Sequence, residues 1–339
     1  MSSGALAVES APSQAREGRN TGIDVFRGML VLLVILGHFS ELTQRQSFVT
    51  WLGFGFRMPL FIGLTGYLFN LEQARSASLP ALFRKYYGRL ILPWLVACAV
   101  HLTIVGAVTW RTPFDILFRP PFHLWFVPVM MAFIITARGC RLSPGEMLAI
   151  TIPTSIAAMY FFGVGYNIEQ YQAWVPDRRY LVYPIYFAFG MWIARRKFDP
   201  SMLHVPLLLA LIGLFWWCRL YGHPSRDSEV AAELILCMPL IALLPRVRRR
   251  FVNLPLIASI GRDSLFFYLW HPIMFGLWAS AGFSGLRLLA LAMLSILLTA
   301  AIIARIPRLR DIFGLRAPDP FGGPALVKPR LAPGVERAG

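Results

Sequence analysis

Apolar positions in this chain come in long uninterrupted blocks rather than in the two-residue or seven-residue repeats of soluble strands and coiled coils. A bilayer core about 30 Å thick is crossed by about 20 apolar residues, because a helix rises 1.5 Å per residue. Blocks of this kind lie near 23–40, 56–71, 90–109, 123–138, 146–163, 180–194, 203–220, 230–245, 264–280 and 286–304. They predict an all-α integral membrane protein with about ten transmembrane helices. The shorter blocks at 56–71, 123–138 and 180–194 need interfacial residues to complete a crossing. Residues 1–21 are small, polar and aperiodic and are expected to form a disordered tail, without the pattern of a signal peptide. Residues 22–304 form the membrane domain, and 305–339 form a Pro/Gly-rich tail, expected to be unstructured beyond Arg310. No internal repeat is visible, which argues against many transporter folds.

Composition narrows the class. Of 339 residues 57% are hydrophobic and only 15% charged, yet Lys and Arg exceed Asp and Glu by 33 to 17, a net charge of +16. A soluble domain needs more charge to cover its surface, and a nucleic-acid binder would carry its cations on a solvated face. With ten crossings and the first segment inside, Arg75, Arg84, Lys85, Arg89, Arg141, Arg195, Arg196, Lys197, Arg246, Arg248, Arg249, Arg250 and Arg262 fall in alternate loops on one side. The opposite loops hold Arg45, Arg111, Arg119, Arg178, Arg179 and Arg226. Loops rich in Lys and Arg stay cytosolic, so both termini are expected in the cytosol. Cys98, Cys140, Cys218 and Cys237 have no spacing suited to zinc or redox chemistry and read as small buried hydrophobes; no metal site is expected.

Polar groups inside apolar spans are costly and therefore mark candidate chemistry. In the first span Asp24 and Arg27 are three residues apart, and Arg27 and His38 eleven apart, close to three turns, so all share a face. Arg27 and His38 are nevertheless about 16 Å apart along the axis. Gly28 and Gly37 leave room on that face for a neighbouring helix or a ligand. The second span opens Arg57-Met-Pro and runs through Gly63 and Gly66 to Tyr67; its glycines read as packing positions. Arg57 is placed at the outer mouth, as an anchor or as a contact for an anionic or sugar ligand. The third span is preceded by Arg84-Lys85-Tyr-Tyr-Gly-Arg89, which serves orientation and anionic-lipid contact or clamps phosphates arriving from the cytosol. His123 and Trp125 start the fourth span at the outer interface. In the ninth, His271 precedes Pro272, which frees the carbonyl of residue 268; His271 occupies that kink or faces the cavity of His38. His101 reads as a satisfied packing histidine.

These blocks together resemble the integral-membrane acyltransferase family 3. The resemblance rests on Asp24-x-x-Arg27-Gly28 with Arg27-x10-His38, on Met58-Pro-Leu-Phe…Thr65-Gly66-Tyr67-Leu, and on Arg84–Arg89 followed by Leu-Ile-Leu-Pro. It continues in His123-Leu-Trp-Phe and in Ser264…Tyr268-Leu-Trp-His271-Pro272, so that the ordered blocks span about 22–304. Thr65 stands where many relatives show Ser, which preserves the hydroxyl. No acyl transfer to a fused extracytoplasmic catalytic domain, such as some members carry, is expected here.

The resemblance implies a multi-pass O-acyltransferase of the bacterial cytoplasmic (inner) membrane. It would move an acyl group, usually acetyl, from acetyl-CoA to a hydroxyl of a surface polysaccharide, exopolysaccharide repeat unit or lipid-linked oligosaccharide. Acetyl-CoA would be a substrate rather than a resident cofactor, and polysaccharide-synthesis proteins are expected neighbours. Residue matching implies His38 and Arg27 as the catalytic pair and Arg84, Lys85 and Arg89 as the donor site, with Asp24, Arg57, Tyr67, His123, Trp125 and His271 as cavity-lining candidates. A precursor transporter or flippase, or a scaffold in a synthesis complex, would also suit ten spans with an intramembrane Arg–His face.

Overall fold

A computed structural model describes residues 21–43, 47–164, 176–196, 200–250 and 254–316. Both chain ends assigned above as tails therefore lie largely outside the described residues. Every regular element among the described residues is helical. In chain order these are α1 (Thr21–Leu42), α2 (Phe48–Phe54), α3 (Arg57–Leu68), α4 (Leu71–Ser76), α5 (Leu79–Tyr86), α6 (Leu92–Ile104), α7 (Thr112–Phe118), α8 (Phe126–Gly139) and α9 (Pro144–Phe162). There follow α10 (Arg179–Val182), α11 (Pro184–Ile193), α12 (His204–Arg219), α13 (Arg226–Ala242), α14 (Leu244–Arg250), α15 (Pro255–Arg262), α16 (Ser264–Ser280), α17 (Gly285–Ile303) and α18 (Pro307–Phe313).

Seven helical runs are long and apolar enough to cross a membrane: Thr21–Leu42, Phe48–Leu68, Leu79–Ile104, Pro144–Phe162, Ser201–Arg219, Arg226–Val247 and Gly285–Ile303. The second is longer than the apolar block at 56–71 because α2 leads into α3 through Gly55. The other three expected crossings fall on α8, α11 and α16, of 14, 10 and 17 residues. Helix length alone therefore supports a multi-pass membrane protein but does not establish ten crossings. Apolar side chains point outward where lipid would lie: Leu207, Leu208, Leu211 and Phe215 on α12, and Leu286, Leu294, Leu298 and Ile302 on α17, are all exposed. In water such faces would drive association; in lipid they cost nothing.

Lipid tails are as apolar as leucine, so close backbone packing must hold such a bundle together. Glycine supplies it at two crossings. A Cβ on Gly28 would lie 2.1 Å from the Ile257 carbonyl oxygen, and one on Gly261 1.7 Å from that of Asp24, so α1 and α15 touch backbone to backbone. A Cβ on Gly66 would meet the Phe187 oxygen at 2.1 Å, and one on Gly190 the Gly63 oxygen at 2.1 Å, which sets α3 against α11. The packing role expected of Gly63 and Gly66 is thus observed. Trp51 and Trp217 stack at 5.1 Å, and each indole N–H donates to the other's carbonyl at 3.2 Å, stapling α2 to α12.

Helix α1 lies at the centre, packed against α3, α15 and α16, while α16 also packs on α6 and α17. Pro93 has no N–H for the Arg89 carbonyl, and there the chain widens into a π-turn over Tyr87–Ile91 before α6 begins. Order continues past Arg310. Helix α18 runs to Phe313, whose carbonyl accepts from the Trp270 indole at 3.3 Å, and the Arg316 N–H donates to Asp263 at 2.9 Å. The boundary of the expected tail therefore moves towards the C-terminus. All four cysteines are free; Cys98 and Cys237 are buried as expected, Cys140 and Cys218 half-buried.

Candidate active site

A cavity of about 1120 Å³ opens where the C-terminal ends of α1, α6 and α16 meet, lined there by Glu41 and Leu42, Ile104 and Val105, and Leu277 and Ser280. The three helices therefore run in the same direction. His38 lies on its wall one turn inside the end of α1. Arg57, His101, His123, Trp125, Arg178, Arg179, Tyr183 and Tyr268 also line it.

Four histidines from four segments meet here. His38 Nδ1 lies 2.7 Å from His271 Nε2, and His271 Nδ1 lies 2.7 Å from the Phe267 carbonyl oxygen. The carbonyl can only accept, so Nδ1 of a neutral His271 carries the hydrogen and Nε2 presents a lone pair. His38 must then donate from Nδ1, which leaves Nε2 of His38 as its own acceptor nitrogen. The two rings are within 6° of parallel with centroids 4.9 Å apart, the arrangement of an edge-to-edge hydrogen bond. A main-chain carbonyl thus sets the tautomer of His271, and His271 sets that of His38.

His101 and His123 both donate from Nε2 to the Leu269 carbonyl, at 3.0 and 3.1 Å. The carbonyl of residue 268, which Pro272 was expected to free, lies against the His271 imidazole together with that of Phe267, and the Leu269 carbonyl takes His101 and His123. The Tyr268 hydroxyl donates to the His123 carbonyl. With two imidazoles turned onto one carbonyl and the other two onto each other, the ring nitrogens do not converge. Among the described residues no group of three or more His, Cys, Asp or Glu is arranged to hold a metal ion.

Arg57 lies not at the mouth but inside, 5% exposed, with its guanidinium across α1. It donates to the Leu33 carbonyl at 3.2 Å, lies 3.8 Å from Glu41, and covers the Phe54 ring at 3.8 Å. A Cβ on Gly37 would stand 1.4 Å from Arg57 Nη1, so Gly37 makes room for this side chain beside His38. The space expected at Gly28, in contrast, receives helix α15. Trp125 is held between the Arg179 guanidinium at 4.6 Å and the Tyr183 ring at 5.4 Å.

The structure therefore brings His38, Arg57, His123, Trp125 and His271 together. Asp24, Arg27, Tyr67 and His271 are not among the residues lining the cavity, and His271 joins the site only through its bond to His38. Asp24 is buried where α1 crosses α15, Arg27 is half-buried, and the lining of α1 begins at Val34, about 10 Å further along the helix. Tyr67 is half-buried at the end of α3 opposite Arg57. Arg84, Lys85 and Arg89 are exposed on α5 and the π-turn, before the N-terminal end of α6, hence at the far end of the bundle from the cavity. Lys85 reaches Gln73 at 3.3 Å. Nearby, Arg75 is spent on structure: its Nη2 donates to the Cys140 and Leu142 carbonyls at 2.5 and 2.6 Å and ties down the end of α8. Glu41, His101, Tyr183 and Arg179 were not anticipated as lining. The hydropathy pattern could have singled out only His101, the one ionisable group within its span.

A hydrogen-bonded histidine pair and a buried guanidinium thus stand together at a cavity lined by both apolar and charged side chains. A family model described as an acyltransferase domain matches residues 20–305, most of the chain and all of the site. The chain belongs to acyltransferase family 3, and the resemblance drawn from its motifs is thereby established. Family membership and the apolar helices together make it a multi-pass membrane protein of the acyltransferase class. Neither the curated proteins nor the solved structures contain a significant match.

Proposed function

We propose that the protein is a membrane O-acetyltransferase of the bacterial cytoplasmic membrane, moving acetyl from acetyl-CoA to a hydroxyl of a surface polysaccharide, exopolysaccharide unit or lipid-linked oligosaccharide. The observation that carries this reading is the hydrogen-bonded series from His38 through His271 to the Phe267 carbonyl at a cavity wall. Nε2 of His38 takes the proton of the acceptor hydroxyl as that oxygen bonds to the thioester carbonyl carbon. The carbonyl electron pair moves to oxygen, and the Arg57 guanidinium beside His38 stabilises the oxyanion. Re-forming the C=O bond breaks the C–S bond, and the departing sulfur takes the proton from His38, giving O-acetyl glycan and free CoA thiol. His271 stabilises the transient imidazolium by accepting from its Nδ1–H, the part a carboxylate plays in serine hydrolases.

The donor enters from the opposite end. Arg84, Lys85 and Arg89 bind the CoA phosphates at the cytosolic surface, and twelve residues of helix, about 18 Å, separate Arg89 from His101 at the cavity. Arg27 lies along that route on α1 and contacts the donor rather than the imidazole. This orientation requires cytosolic termini and ten crossings, with α8, α11 and α16 spanning as short helices beside longer ones. Membranes containing the protein should transfer radiolabelled acetyl from acetyl-CoA to a glycan fraction, and NMR of that fraction should identify the O-acetylated sugar. If properly inserted His38→Ala protein kept wild-type turnover, the assignment would fail.

A further inference from the structure

The three imidazoles on the cavity wall present the same kind of atom. His101 and His123 donate from Nε2 to the Leu269 carbonyl, so in its neutral form each offers Nδ1 as a bare lone pair. His38, with Nδ1 engaged by His271, offers Nε2 in the same way. All three residues line the cavity, and among the described residues nothing bonds the three remaining nitrogens. They stand in a row: the His38 and His123 centroids are 5.8 Å apart, and those of His123 and His101 4.8 Å.

A bare lone pair discriminates between ligands. It accepts from a hydroxyl and has nothing to offer a carboxylate, a phosphate or a carbonyl oxygen. A ligand in the cavity must donate to such a nitrogen or leave it desolvated and unpaired, which is costly. The proposed reaction uses one of them, on His38, and leaves that of His123 without a task. Yet the His123 ring is held as firmly as that of His38. It is buried, its Nε2 is anchored on main chain, and Tyr268 donates to its carbonyl while meeting its ring edge-on at 5.6 Å. The anchoring carbonyl belongs to the turn of α16 before Pro272, the same turn that orients His271 and through it His38. One turn of one helix therefore sets both acceptor nitrogens before any substrate arrives. Hydrogen bonds of about 2.8 Å from adjacent hydroxyls of one sugar ring suit this spacing.

We infer that His123 is a specificity-determining residue: its Nδ1 accepts from the hydroxyl adjacent to the one that His38 activates, so the acceptor is a sugar with a free vicinal diol at the acylated position. The neighbouring hydroxyl keeps its proton, and no covalent bond is made or broken at His123; only the hydroxyl at His38 reacts. This rests on the acyltransferase reading for the role of His38, and it deepens that reading by naming what the acceptor carries beside the reacting hydroxyl.

The test is a binding measurement on purified full-length protein in nanodiscs, titrated calorimetrically with two glycosides that differ by one hydroxyl. These are methyl α-D-glucopyranoside and its 3-deoxy analogue, in which no two ring hydroxyls are adjacent. The parent glycoside should bind about tenfold more tightly, as the loss of a partner for a desolvated acceptor gives. His123→Phe keeps an aromatic ring without its nitrogens and should bring the two affinities together. His123→Gln, whose amide can donate to Leu269 while its oxygen accepts, should keep part of the preference, a rescue that a purely structural histidine would not show. Equal or undetectable affinity of the wild-type protein for the two glycosides, or a preference that His123→Phe leaves intact, overturns the assignment. Failure of the acyltransferase reading is separate, because it shows as absent acetyl transfer in wild-type membranes whatever the glycosides bind.

Discussion

His38 and His271, 233 positions apart in the chain, join through a 2.7 Å hydrogen bond between Nδ1 of the first and Nε2 of the second. That bond occupies Nδ1 of His38 and, in the mechanism proposed above, leaves Nε2 to meet the substrate. Because His271 is itself fixed by the Phe267 carbonyl, the orientation originates in main chain at the Pro272 kink.

Removing the base and removing its orienting partner should differ in degree. His38→Ala should lower kcat for acetyl transfer by about 10²–10⁴-fold, the range of general-base contributions. His271→Ala should lower kcat less and leave KM for acetyl-CoA unchanged, because the tautomer is no longer imposed while the base remains. His271→Gln, which can still accept from His38, should recover part of the loss. Steady-state kinetics in native membranes measure all three; an unchanged kcat in His271→Ala would remove this residue from the mechanism.

Gly37 and Arg57 should behave as one unit. A methyl at Gly37 collides with the guanidinium, so Gly37→Ala should displace Arg57 and reduce activity, with an overpacking cost of about 1–3 kcal/mol. In an Arg57→Ala background the same glycine substitution should cost little more. A double-mutant cycle on kcat/KM reads the coupling directly, and strict additivity would show that the two do not interact.

The basic surface on α5 and the π-turn should affect donor affinity rather than chemistry. Replacing Arg84, Lys85 and Arg89 together by Gln should raise KM for acetyl-CoA about tenfold or more, with kcat little altered, and should flatten the salt dependence of KM. A fall in kcat with KM unchanged would place the donor elsewhere.

A buried carboxyl away from the cavity gives a stability prediction. The Tyr186 hydroxyl donates to Glu233 Oε1 at 2.7 Å, while Glu233 Oε2 is buried with no hydrogen-bond partner. Glu233→Gln keeps the acceptor oxygen and should leave thermal stability in detergent nearly unchanged. Glu233→Leu leaves the tyrosine hydroxyl unpaired and should cost about 1–3 kcal/mol. If the Gln variant were as unstable as the Leu variant, ionised Glu233 would be holding something further.

The sequence by itself determined where helices form and which of their residues are out of place. Apolar block length is a local property set by the bilayer, so the expected positions of the long helices agree with the observed ones to within a few residues, apart from α2 and α5, which lead the second and third runs, and α18 beyond the expected domain end. Polar residues in such blocks were legible for the same reason: the cost of burial singled out His38, left His271 open between kink and cavity, and needed the family resemblance to add His123. Helical periodicity also related Arg27 to His38, but periodicity speaks only of one helix. Whether Arg57 anchors a helix at the mouth or lies buried against Gly37, and whether His271 fills its kink or meets His38, depends on how helices cross. Those crossings are set by backbone contact at Gly28 with Gly261 and at Gly63 with Gly190, between segments far apart in the chain. The tertiary structure alone decided them, because a glycine in a sequence marks space without saying what enters it.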